Sequence, residues 1–517
     1  MVSLVDRQDI TLAVHKHASP NGRGHQVWLA YCVLAVAAPW FWPIKAGPLP
    51  AMWADLFAWS CAALLLFLLW RAGRDAGRAI ALGWVLAAAG SAVLALFQYF
   101  DLENNFYPWI VFTDPGQAVA NVHQTNMLAT LLAIGLLAIH WLQQESLLTK
   151  GKAVALAGLV LIGLAATASR TGAVHLLLIA CLIYFWRKSD AKSVLAVCFG
   201  AFLIYLGAAL ALPYLLEHSL GNVTDRTLLN RIGVESTCSS RKVLWSNVWH
   251  LISLKPWTGW GFDGLLYAHY ITPYEGVRFC DKLSNAHNLF LQIAIEYGLF
   301  SSALVAAFIL LMLIRFKPWL AKQSQERLGW SVLLLIGFHN MLEFPLWFGV
   351  FQVASLLAIW LIWHERTKAD VENAAVGTKA LKPFRRGFAS ALLLGALAFT
   401  AFDYVRVSQL YTPQEHRATR YQTDTFNKAS QTVFFKSHVL IAQVVVTNID
   451  EGNASVMLEA ALAALHIAPD SRIIRQVIRA AQLAGREDLV ELHTARYAAA
   501  WPALYQEWRA GAGATSQ

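Results

Sequence analysis

Long apolar runs separated by short polar stretches make up the first four-fifths of the chain. Runs of roughly 17–25 residues cross a bilayer as helices, and reading them so predicts about eleven spans. They fall near 27–43, 53–70, 79–99, 124–141, 152–168, 172–186, 193–213, 287–314, 328–345, 347–363 and 387–403. Two longer polar stretches interrupt this pattern, at 214–286 and 404–517. The second carries helical stripes, Met457, Ala461, Leu462 and Leu465, then Ile473, Ile474, Val477 and Ile478. Ala468-Pro469-Asp470 and then Gly485 break those stripes. The spacing predicts paired antiparallel helices of tetratricopeptide type, although no clean repeat is visible. The fold class expected is all-α: a polytopic helical membrane protein with a C-terminal helical domain.

The basic residues orient the spans. Arg71, Arg74 and Arg78 share one loop, Lys150 and Lys152 the next, and Arg187, Lys188 and Lys192 another. Arg315, Lys317, Lys322 and Arg327 follow, then Lys379, Lys382, Arg385 and Arg386. Counting spans places all of these loops on the side of the N-terminus. Opposite them stand only Lys45 and Arg170 in short loops, and 100–123 has no Lys or Arg. The positive-inside rule then predicts a cytoplasmic N-terminal segment, 1–26, and a membrane domain, 27–403. It also predicts that the 214–286 loop and the 404–517 domain are external. The first residues are polar, so no cleavable signal peptide is expected, and the run from Val27 serves as a signal anchor.

Composition supports a membrane protein and excludes a soluble globule: 57% of residues are hydrophobic and 14% charged, with mean hydropathy +0.46. The 21 Trp suit interfacial belts. The net charge of +9 is spread over short loops, which points to topology and away from nucleic acid. Cys32, Cys61, Cys181 and Cys198 fall inside spans and are expected to be inert core residues. Cys238 and Cys280 both fall in the large loop, where an oxidising compartment would let them pair; two free thiols are the alternative.

The chemistry gathers on the external side. His287, in Ser284-Asn285-Ala286-His287-Asn288, places an imidazole where the polar loop meets an apolar helix. Arg170 lies in a tight turn between two spans, and Arg241 opens the amphipathic stretch Arg241-Lys242-Val243-Leu244-Trp245. Guanidinium groups suit phosphate oxygens. Two of them with one His are what transfer from a lipid diphosphate needs: the Args neutralise the leaving pyrophosphate and the His takes the hydroxyl proton. Headgroup snorkelling is the structural alternative for each Arg, and simple helix capping for the His. Gln124 and Asn126, at the start of the fourth span, are candidates for sugar hydroxyls. Helix capping by Asn121 or Thr125 is the structural alternative there. His339 and Glu343 form a third cluster, in which Glu343 either binds acceptor or bridges to an Arg. Gly259-Trp260-Gly261-Phe262-Asp263-Gly264 matches a dinucleotide fingerprint only literally, and is read as a sharp reversal after Lys255-Pro256. No Cys/His spacing suggests zinc, and Asp101 with Glu103 is too sparse to predict a metal site.

These residues resemble a known family. Arg241, then Pro256-x-x-Gly259-x-Gly261, then Asn285-Ala286-His287-Asn288, with Arg170 in Ser-Arg-Thr-Gly, are similar to the Wzy_C superfamily of O-antigen ligases and polymerases. Gln124-Thr-Asn126-Met-Leu-Ala129 and His339-Asn-Met-Leu-Glu343-Phe344-Pro345-Leu346-Trp347 look like its PglL-like O-oligosaccharyltransferase branch. That branch often has Tyr where this chain has Phe344. The resemblance implies a GT-C-type glycosyltransferase in the bacterial inner membrane, with its active site facing the periplasm. It implies metal-independent, inverting transfer of a glycan from undecaprenyl diphosphate to a hydroxyl, with no cofactor. His287 is then the base, Arg170 and Arg241 hold the diphosphate, and Gln124 is important. The acceptor implied is Ser or Thr of a periplasmic, pilin-like protein. An O-antigen ligase acting on lipid A core and an O-antigen polymerase are the competing enzymes. A transporter or flippase would instead place its charges near the bilayer midplane.

Overall fold

The computed structural model describes residues 23–72, 75–187, 189–221, 238–373 and 383–514. Most of the expected N-terminal segment, part of the large loop, and Arg74, Lys188, Lys379 and Lys382 lie outside them. All regular structure among the described residues is helical. In chain order the helices are α1 (Arg23–Ala37), α2 (Met52–Ala72), α3 (Ala76–Tyr99), α4 (Thr125–Gln144), α5 (Lys150–Ala166), α6 (Arg170–Phe185) and α7 (Ala191–Leu220). There follow α8 (Arg241–Leu254), α9 (Leu265–Ile271), α10 (Leu289–Tyr297), α11 (Leu299–Phe316), α12 (Ser324–His339), α13 (Gly349–Asn373) and α14 (Pro383–Ser408). The tail holds α15 (Thr425–Ser430), α16 (Lys436–Val446), α17 (Ala454–Ile467), α18 (Ser471–Leu483), α19 (Glu487–Ala500) and α20 (Pro502–Ala514).

Six segments are long and apolar enough to cross a membrane: Met52–Leu69, Ala76–Tyr99, Thr125–Gln144, Ala191–Leu220, Leu299–Leu320 and Arg385–Tyr411. The other five expected spans coincide with helices that fall short in length or apolarity. The 17 residues of α5, for example, rise roughly 25 Å at 1.5 Å each, against a hydrocarbon core of roughly 30 Å.

Burial sorts the six. Thr125–Gln144 is 78% buried and forms the centre, whereas Ala191–Leu220 is 11% and Leu299–Leu320 0% buried, so these leave apolar faces outward. Small residues let the central helices approach closely. A Cβ on Gly135 would lie 2.2 Å from the Cβ of Ala88, and one on Gly163 2.6 Å from that of Ala92.

Three expectations are corrected. The run 287–314 is two helices rather than one. Gly298 separates α10 from α11 with φ +87°, a conformation in which other residues are strained. The run 328–345 stops as a helix at His339, and a turn over 340–344 follows. Among the cysteines, Cys32 and Cys61 are buried, but Cys181 is exposed and Cys198 half-buried on outward helix faces.

The literal GxGxxG forms a backbone clasp. Trp260 and Gly261 donate their N–H groups to Ile295 O and Glu296 O at 2.8 and 3.0 Å, and Leu299 N donates to Pro256 O at 2.7 Å. Gly259 takes φ +66° where a Cβ would meet Glu296 O at 2.3 Å. The reversal therefore locks the loop onto the junction of α10 and α11.

The tail packs its own apolar core. Asp470 caps α18, accepting from Arg472 N and Ile473 N, and Ile473, Ile474, Val477 and Ile478 are buried. Tyr270 of the large loop joins that core, with its hydroxyl 3.0 Å from His493 Nδ1. Asp403 near the end of α14 accepts bonds from Thr432 Oγ1, Val433 N and Phe434 N, fastening the tail to the last long helix.

Candidate functional site

Local capping fixes where each candidate side chain begins. Ser240 caps α8, its hydroxyl accepting from Val243 N at 3.3 Å, so Arg241 stands at the first helical position. Ser169 caps α6 in the same way, accepting from Gly172 N at 3.1 Å, which puts Arg170 first in that helix. Asn288, not His287, caps α10. Its side-chain oxygen accepts from Phe290 N and Leu291 N, and its Nδ2 donates to Met341 O at 3.1 Å. Leu289 N donates to Asn340 O at 2.8 Å, so the start of α10 is stitched to the turn carrying Glu343.

His287 itself has φ +51°, left-handed for a non-glycine residue. That conformation is sparsely populated and persists where its surroundings impose it. They do so here: His287 N donates to Asn285 Oδ1 at 2.7 Å, and Ala286 N to Gln292 Oε1 at 2.7 Å. Trp245 of α8 donates its indole N–H to Ala286 O at 3.1 Å.

These elements converge on one carboxylate. Glu343 Oε2 lies 2.7 Å from His287 Nδ1, and Oε1 accepts from an Arg241 Nη2 and, at 3.2 Å, from Asn126 Nδ2. Asn126 is aligned in turn by Ser169, whose hydroxyl donates to its Oδ1 at 2.7 Å. The side chain of Glu343 is 4% exposed, while those of Arg241 and His287 are 37% and 25% exposed. The acid is thus buried beneath two partners that reach the surface. Burial pushes the Glu343 carboxyl up, but the hydrogen bond from His287 and the charge of Arg241 outweigh it and hold it below the usual glutamate value. Glu343 is therefore an ionised acceptor at neutral pH. An ionised carboxylate on Nδ1 holds that nitrogen in its protonated form and leaves Nε2 as the acceptor. Phe344 packs edge-on to the imidazole with ring centroids 5.1 Å apart, supporting its other side.

The remaining candidates are placed as follows. Arg170 is exposed, one residue from Ser169, and makes none of the bonds around Glu343. Gln124 is the N-cap residue of α4 by backbone position, without a side-chain capping bond. Asn121, for which capping was the alternative, bonds Phe41 O and Trp109 O, both at 2.8 Å, and ties those two segments together. His339 is fully buried behind Glu343, with Nδ1 2.7 Å from Thr130 Oγ1. Among the described residues, its Nε2 lacks a hydrogen-bond partner. Cys238 and Cys280 are joined as a disulfide, Cα–Cα 5.4 Å. His269, a buried imidazole of the large loop, bonds Tyr274 Oη and Phe279 O, and burial with the Arg278 charge takes it down to about 3.

Sequence reasoning did not single out Ser169, Thr130, Asn285 or Gln292 as parts of the site. The signal for Ser169 was present, since Ser directly before a helix is a capping pattern. Gln292 shows no comparable signal: its role comes from folding back onto Ala286.

The family described as O-Antigen ligase matches residues 153–306, and the family described as Virulence factor membrane-bound polymerase, C-terminal, matches residues 327–514. The chain is similar to the General O-oligosaccharyltransferase of Acinetobacter baylyi, 23% identical over 330 residues that cover 62% of this chain and 56% of that one. It is also similar to the ComP-specific O-oligosaccharyltransferase of Acinetobacter baylyi, 21% identical over 337 residues covering 64% and 59%. The matched stretch thus spans well under two thirds of either relative's length.

Proposed function

We propose that this chain, a PglL-like member of the Wzy_C O-antigen ligase superfamily, transfers a glycan from undecaprenyl diphosphate to Ser or Thr hydroxyls of periplasmic proteins such as pilins. The observation that carries this reading is the Glu343 carboxylate bonded at once to Arg241 and to His287 Nδ1. His287 Nε2 takes the proton of the acceptor hydroxyl as its oxygen attacks the anomeric carbon. The bond from that carbon to the diphosphate oxygen breaks, with inversion. The leaving lipid diphosphate keeps the electron pair and is neutralised by Arg241, whose guanidinium has further N–H donors beyond the one given to Glu343. Arg170, exposed at the start of α6, is the second phosphate ligand. Gln124 and Asn126 lie beside the sugar.

In the arrangement proposed, the basic loops face the cytoplasm, eleven helices cross the inner membrane, and the site, the large loop and the 404–517 domain face the periplasm. The Cys238–Cys280 disulfide supports this side for the loop, since such bonds persist in oxidising compartments. The tail core, docked through Tyr270 and His493 to the loop that also carries Arg241, favours a protein as acceptor because it offers a helical surface tied to that loop.

The match to an O-Antigen ligase family over 153–306 supports lipid A core as the alternative acceptor. Co-expression with a glycan locus and a candidate pilin in a ligase-deficient host separates the two. Glycosylated pilin with unmodified lipid A is expected; the opposite product pattern would assign the chain as a ligase.

A further inference from the structure

At the end of α6 opposite Arg170 lies a cleft that the transfer reaction does not use. It opens among the ends of α4 and α6 and the starts of α7 and α12, with about 620 Å³ of empty space, part of it open to solvent. Arg187, Arg327 and His140 line it, and among the described residues no acidic side chain does. Trp141 and Trp186 line it as well. Trp141 is 7% exposed. Neither indole N–H has a hydrogen-bond partner among the described residues.

A buried donor left without an acceptor is costly, and two beside one cleft point to a missing acceptor. Both arginines are steadied by backbone carbonyls. Arg327 donates to Ala321 O at 2.9 Å and Trp186 O at 3.2 Å, and Arg187 to Tyr184 O at 2.9 Å. Each guanidinium keeps further N–H groups for a ligand. The rest of the wall is apolar, including Leu137, Leu182, Ile183 and Val194. From the cleft, α7 continues as an outward apolar face through Leu195, Val197 and Phe199, all more than half exposed.

We infer that this cleft binds the phosphate of an anionic membrane lipid. The Arg and Trp donors take the phosphate oxygens, and the apolar wall and the face of α7 take the start of the acyl chains. A zwitterionic headgroup would bring its ammonium toward two arginines. Free phosphate would leave the apolar wall unused.

The test follows thermal unfolding of the full chain in detergent while short-chain phosphatidylglycerol, short-chain phosphatidylcholine or inorganic phosphate is added. Phosphatidylglycerol alone should raise the midpoint. Arg187→Gln, on an exposed residue, should leave the lipid-free midpoint in place and weaken the apparent affinity about tenfold. Trp141→Phe keeps an aromatic side chain but loses the indole N–H along with part of the ring system, and should weaken it by a smaller factor. Equal stabilisation by phosphatidylcholine or by inorganic phosphate would overturn the assignment, and so would unchanged affinity in Arg187→Gln.

Discussion

Glu343 is the residue on which Arg241, His287 and Asn126 converge. It is a buried acid whose two partners reach the surface, so its charge serves both at once. Its pH behaviour follows from its depressed value. The folded state holds the carboxyl below the ordinary 4.5, so its stabilising contribution is complete above that value and is lost as pH falls through the lower one. Melting wild type and Glu343→Gln side by side checks this. The gap between their midpoints should stay constant down to about pH 4.5 and close below it; a gap closing well above that would contradict an ionised, doubly paired Glu343. Arg241 supplies a test of geometry against charge. Lysine keeps the charge but lacks the planar fork with which the proposed role has Arg241 contact Glu343 and a phosphate together. Arg241→Lys is expected to lose roughly one to two orders of magnitude in transfer, with most of the loss in donor affinity. Full donor affinity in that variant would reduce Arg241 to surface charge.

At the scale of elements, the site depends on how α10 is set against its neighbours. Gly298 separates the end of α10 from the start of α11, and the backbone from Pro256 to Gly261 closes onto that junction. A Cβ on Gly298 would meet Trp257 O at 2.1 Å, while the φ of +87° already disfavours any side chain. Gly298→Ala should therefore destabilise by about 2 kcal/mol or more and loosen the segment that presents His287. Gly158→Ala is the control: it lies within α5 with nothing near its Cβ, and should be neutral or slightly stabilising. Equal melting of the two variants would show that the clasp does not constrain α10. Much of this level was legible beforehand. Apolar run length located the helices, and six of them have the length and apolarity that a bilayer core requires. The break at Gly298 was missed because a glycine in a continuous apolar run leaves the hydrophobic pattern unchanged; its φ depends on what packs beside it. The end of α12 at His339 was missed for a related reason: Met341, Leu342 and Phe344 extend the apolar pattern through a turn.

Across the whole molecule, a buried central helix, outward apolar helices and a tail with its own core bring distant residues to one point. Arg241, His287 and Glu343 were each singled out from the sequence by charge in an apolar setting, which is a local signal. That Glu343 would stand between the other two was left open, because a meeting of α8, α10 and the 340–344 turn is a property of packing. The same holds for Ser169 and Asn126, whose polar chain from α6 through α4 to Glu343 has no counterpart in spacing along the chain. The central claim is that Glu343 acts through His287, which serves as base toward an acceptor hydroxyl. Transfer rates at saturating lipid-linked donor, measured for His287→Ala, Glu343→Gln and the double variant, test it most directly. The account predicts a loss of ~10²–10⁴-fold for His287→Ala. It predicts a smaller loss for Glu343→Gln, and a double variant no slower than His287→Ala alone. A near-normal rate in His287→Ala, or losses that multiply in the double variant, would contradict it.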